Sequence, residues 1–189
     1  MLRNIMLVVV LSSVATNVNA GECTDSLAPH SPITVVGAYS NMRFTTEHAY
    51  GYTVELWRAK ECYFGLFFSS SGLMGDTPTG LLENMKYDKN AGAISFDARL
   101  TMGTISPVPG DNVWVPTKDV YEFSGILKNK VLAGDVSHRI LNMPAARPKL
   151  ESVVLNSSPD NLSYLADYST YAQWKNSTND ILKFRGPKW

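Results

Sequence analysis

The chain has 189 residues, with 17 basic against 17 acidic side chains and 44% hydrophobic residues. A balanced charge leaves no field to gather nucleic acid or another polyanion, so no nucleic-acid partner is expected. The length suits one domain with a real core rather than two.

Residues 1–20 have the three parts of a secretory signal: Arg3 in a basic start, an apolar run over residues 5–10, and Val18-Asn19-Ala20 before Gly21. The apolar run is too short to span a bilayer, and Ser12, Ser13 and Asn17 interrupt it. Cleavage after Ala20 is expected, leaving residues 21–189 as one β-rich domain in the periplasm or outside the cell. Glu22 argues against lipid attachment at Cys23, because the residue before a lipidated cysteine should be small. No integral membrane segment is expected after cleavage. A spanning last strand ending at Trp189 is ruled against by Lys183, Arg185 and Pro187, which break the alternation it would need. Cys23 and Cys62 are the only two cysteines, and an oxidising compartment predicts a disulfide between them, stapling the N-terminal segment to a strand.

In chain order, residues 21–31 read as an irregular lead-in and residues 33–39 as a first strand. Tyr52, Val54 and Leu56 alternate with Thr53, Glu55 and Trp57, the period of a half-buried strand; residues 63–68 return as its hairpin partner, with one face wet. Strands follow at residues 81–87 and 94–100, the second with the cleanest alternation in the chain. Residues 123–127 and 132–136 are near mirror images about Asn129-Lys130. A two-residue turn there pairs Leu127 with Leu132, Gly125 with Gly134 and Phe123 with Val136. The bare glycine pair needs a close neighbour, expected to be a large side chain from another strand. Residues 141–158 read as irregular. Ser169 can cap a helix over residues 169–184, in which Tyr171, Trp174, Thr178 and Ile181 share a face, ended by Gly186-Pro187.

These elements predict a mainly β fold: an antiparallel meander forming a small barrel or a sandwich, with a C-terminal helix that plugs or flanks the sheet. Gly37-Ala38-Tyr39 resembles a lipocalin first strand without that motif's tryptophan, and the meander resembles a calycin-type barrel in fold.

Glu47-His48-Ala49-Tyr50 is the most suggestive chemical cluster, since a histidine oriented by a carboxylate is the commonest acid–base device; Asp76, in the loop 75–80, could join it. That loop lacks the Lys-Ser/Thr of a phosphate loop and the Asp-Thr-Gly of an aspartic protease. His30, His48 and His138 show no repeated ligand spacing, so neither metal nor cofactor is expected. Tyr50, Trp57 and Arg58 are candidate ligand contacts, because an outward tryptophan can stack on a sugar ring or anchor a partner. Asn156, Asn161 and Asn176 head glycosylation sequons that matter only in a eukaryotic secretory route. The leading expectation is an exported, non-enzymatic binding or inhibitory protein holding a small apolar or sugar-like ligand, or a protein partner. The alternatives are a hydrolase using His48 with Glu47 or Asp76, and a structural envelope protein.

Overall fold

The computed structural model describes residues 20–73, 77–106, 112–143, 145–158 and 168–189. All of the expected signal but Ala20 lies outside the described residues, as do Asp76 and Asn161.

β3 (His48–Ala59) and β4 (Cys62–Leu73) form a hairpin in unbroken register from His48↔Leu73 to Ala59↔Cys62. Both outrun the apolar alternation, because Ser69, Ser70 and Ser71 keep pairing where the pattern turns polar. β1 (Thr34–Ser40) pairs with the other edge of β3, and β2 (Arg43–Phe44) carries the same edge on to Ala49. Residues 79–87 form a bent stretch in which β5 (Thr79–Leu81) pairs with β4 and β6 (Glu83–Tyr87) pairs with β7 (Ala93–Leu100). At the bend the Leu82 amide donates to the Gly65 carbonyl at 3.0 Å. A small ribbon of β8 (Thr104–Ile105) and β9 (Val115–Pro116) leads to β10 (Asp119–Lys128), β11 (Val131–Ile140) and β12 (Lys149–Ser157).

The resulting order is β5-β4-β3-β1-β12-β11-β10-β7-β6, antiparallel at every pairing. Its two ends, β5 and β6, are halves of one bent stretch, so the sheet curls into a nearly closed barrel rather than a sandwich. Residues 141–158, read from sequence as irregular, contain β12, the strand that meets β1 at Tyr39↔Ser157 and Ser40↔Asn156. Its period is masked because both faces are mixed: Glu151 shares the inner face with buried Val153 and Leu155, while Leu150 and Val154 are exposed outside.

The β10–β11 hairpin has the register read from its mirror symmetry, with Leu127↔Leu132, Gly125↔Gly134 and Phe123↔Val136. Asn129 and Lys130 both have positive φ, 53° and 62°, as a primed two-residue turn requires. The glycine pair is filled from its own hairpin and not from another strand: a Cβ on Gly125 or Gly134 would meet the Phe123 ring at 2.8 or 2.9 Å.

The barrel is filled rather than hollow. Phe96 stacks on Phe123 with centroids 5.0 Å apart and meets the tilted Phe67 ring at 6.0 Å, in a core that includes Val54, Leu56, Leu100, Leu132 and Val153. A second apolar layer lies outside the barrel, under α2 (Tyr171–Arg185), which packs Tyr171 and Trp174 on Phe64 and Trp57. This corrects the expected wet face: Thr53, Glu55 and Trp57 do point away from the barrel core but are buried, with the helix lying over Glu55 and Trp57. Thr170, one residue past Ser169, is the N-cap, in a capping box with Gln173; Gly186 closes the other end.

α1 (Ala20–Asp25) replaces the expected irregular start, and Cys23 in it is bonded to Cys62 at the head of β4. Among the described residues no helix is long and apolar enough to cross a membrane.

Candidate functional site

Among the described residues, the expected candidates do not converge. Glu47 is exposed, and its side chain makes no hydrogen bond with His48, whose ring stacks on Tyr50 at 6.0 Å. Trp57 is 1% exposed beneath α2 and packs in the outer apolar layer, away from the cup described next. Arg58 pairs with Tyr63, eight residues along β3 from Tyr50, a separation of about 26 Å at strand rise. Of the expected residues that are described, Tyr50 alone lines the cavity described next. Among the described residues no three His, Cys, Asp or Glu side chains cluster as a metal would need.

One end of the barrel carries an open cup of about 330 Å³. Register builds it from two sides. Tyr52 of β3 is opposite Ser69 of β4, while Tyr121, His138 and Lys149 form one row across β10, β11 and β12. Met102, just past β7, and Glu151 complete the wall. Deeper inward residues of β4, β7 and β10 make the aromatic cluster of the core, so Tyr52 and Tyr121, packed on Phe67 at 5.7 and 5.2 Å, form the floor where core becomes cavity.

The polar groups in the cup are interlinked. Tyr52 Oη donates to Glu151 Oε2 at 3.2 Å, Lys149 Nζ lies 3.1 Å from the same oxygen, and Ser69 Oγ donates to Tyr121 Oη at 3.3 Å. Burial, reinforced by the charge of Glu151 and the hydrogen bond to it, pushes the Tyr52 phenol up to about 12. Burial pushes Tyr121 up as well. Both are therefore neutral hydroxyls at physiological pH.

Behind the wall lies a buried carboxylate. Asp119 accepts from His138 Nε2 at 2.8 Å, from the Met102 amide at 2.9 Å and from Thr117 Oγ1. Burial raises its carboxyl, but the bonds from His138, Thr117 and Met102 outweigh it and hold the group below the usual range. The His138 ring lies 4.3 Å from Tyr121, within 6° of parallel, so it is clamped face-on by a phenol and edge-on by a carboxylate.

Sequence reasoning missed Asp119, Tyr121, His138, Ser69 and Glu151. Extending the glycine-pair register by one inward step past Phe123↔Val136 gives Tyr121↔His138, so the signal was present in the hairpin symmetry.

A second cavity of about 270 Å³ lies between α2 and the outer face of β3 and β4, lined by Glu55, Trp57, Trp174 and Arg185 among others. The chain matches no protein-family model, no curated protein and no solved structure.

Proposed function

We propose that this chain is an exported, non-enzymatic binding protein whose barrel-end cup holds a small, hydroxyl-rich, sugar-like ligand. The observation that carries the proposal is the composition of the cup: the tyrosine rings of residues 50, 52 and 121 beside Ser69, Ser70, Ser71, His138 and Glu151, in a volume at the lower end of small-molecule sites. Ring faces suit the C–H surface of a sugar, and alternating donors and acceptors suit its hydroxyls. The filled core directs the choice of ligand class. Phe67, Phe96 and Phe123 leave no depth below Tyr121 for a long apolar chain, so of the apolar and sugar-like ligands the second is favoured.

Export to the periplasm or beyond rests on the signal pattern of residues 1–20 and agrees with the Cys23–Cys62 bridge, a bond typical of oxidising compartments. Calorimetric titration of the chain lacking residues 1–20 with neutral mono- and disaccharides tests the proposal. Saturable binding that is lost in Tyr121→Ala and kept in the distant Arg58→Ala supports it; a flat titration with every sugar, or binding indifferent to Tyr121, overturns it.

A further inference from the structure

Resting on the cup as a sugar-like site, we infer that His138 selects the ligand, its Nδ1 serving as a fixed acceptor for a ligand hydroxyl.

An ionised carboxylate can only accept hydrogen bonds, and Asp119 is fully buried with three donors around it. The imidazole nitrogen facing it, Nε2, must therefore carry the proton. A neutral ring has one N–H, so Nδ1 is left with its lone pair. Asp119 thereby fixes the tautomer of a ring that Tyr121 already fixes in plane. Nδ1 has no hydrogen-bond partner among the described residues, and the ring belongs to the cup wall, with 21% of its side chain exposed.

The other polar groups of the cup are either adaptable or engaged. Ser70 and Ser71 can turn to donate or accept, Tyr52 already serves Glu151, and Ser69 serves Tyr121. The Glu151 carboxylate is shared between Tyr52 and Lys149. Adaptable hydroxyls tolerate many ligands. A fixed acceptor with no alternative role discriminates, because a ligand lacking the matching hydroxyl leaves it unpaired in a partly desolvated site. Asp119 is then a positioning residue that acts through His138, and the inward row Tyr121–His138–Lys149 sets where the ligand hydroxyl must fall.

The test is magnetic resonance of the chain lacking residues 1–20, carrying nitrogen-15 in its histidines and carbon-13 in its tyrosine rings, at neutral pH, titrated with D-glucose, D-galactose and N-acetyl-D-glucosamine. With only His30, His48 and His138 present, assignment is direct through His138→Gln. The expected result is a His138 ring protonated on Nε2 alone, whose Nδ1 resonance moves as a sugar binds. The matching deoxy-sugar should then bind about tenfold more weakly, the worth of one hydrogen bond. A proton on Nδ1, or a sugar that moves the Tyr52 and Tyr121 signals while leaving Nδ1 still, overturns the role of His138 with the cup reading intact. If no sugar moves any cup signal, the cup reading itself falls and this assignment with it.

Discussion

Asp119 opens β10 and His138 lies near the end of β11, and their side chains meet at 2.8 Å where the barrel core gives way to the cup. The pair links fold to site: the same carboxylate that ties the Met102 and Thr117 loop to the barrel also holds the imidazole in the cup wall.

Acid should therefore loosen the cup end. The folded-state carboxyl of Asp119 is depressed, so its contribution is present above the unfolded value, about 3.9, and is lost as pH falls through the lower folded value. Melting temperature measured from pH 6 downward should show an acid limb that flattens in Asp119→Asn. That variant should also lose about 1–3 kcal/mol at neutral pH, because it exchanges a charged acceptor for a weaker one among three buried donors. An unchanged acid limb would remove Asp119 from the account.

Alkali should act through Tyr52. Its phenol is raised to about 12, so the stability it contributes is complete below the unfolded value near 10 and disappears as pH rises through 12. Ultraviolet titration of phenolate should show a late-ionising tyrosine that disappears in Tyr52→Phe. Neutral-pH stability of that variant should change by less than about 1 kcal/mol, since only a half-exposed bond to Glu151 is removed.

Reduction should weaken the whole fold. The Cys23–Cys62 bridge spans a sequence separation of 39, and in the chain-entropy account closing such a loop contributes about 4 kcal/mol. Urea midpoints with and without reductant, and of Cys23→Ser/Cys62→Ser, should fall together by the equivalent of roughly 2–4 kcal/mol.

The Gly125↔Gly134 pair should not accept side chains. A Cβ at Gly125 would strike the Ala133 carbonyl and the Phe123 ring, and one at Gly134 the Ser124 carbonyl and the same ring. Gly125→Ala and Gly134→Ala should each destabilise by about 1–3 kcal/mol in denaturant unfolding. Phe123→Ala should cost about 3–5 kcal/mol through the cavity left in the core stack.

Much of the fold was legible because the local rules agree with the tertiary structure. Alternation located β7, mirror symmetry gave the β10–β11 register, and capping chemistry placed α2 to within a residue. The cover over Trp57 was not fixed by alternation, which reports which side a residue takes and not whether a distant helix will cover that side. β12 was missed for a related reason: Glu151 faces inward and lines the cup, and that inward polarity erases the period that would have announced a strand. The site was hidden more deeply still. Its residues come from six separate stretches of chain, and Asp119 and His138 are 19 residues apart, so only the register brings them together. Glu47 and His48 drew attention by adjacency, yet Glu47 lies exposed in the bend before β3 and makes no hydrogen bond with the His48 ring.

The central claim, that a sugar-like ligand sits in the cup, is tested most directly by two methionine methyl groups. Met102 lines the cup, while Met85 is buried in the barrel core. In a carbon–proton methyl spectrum of the chain lacking residues 1–20, titration with a binding sugar should move the Met102 signal saturably and leave Met85 in place. A sugar that binds without moving Met102, or that moves Met85 instead, would contradict the account.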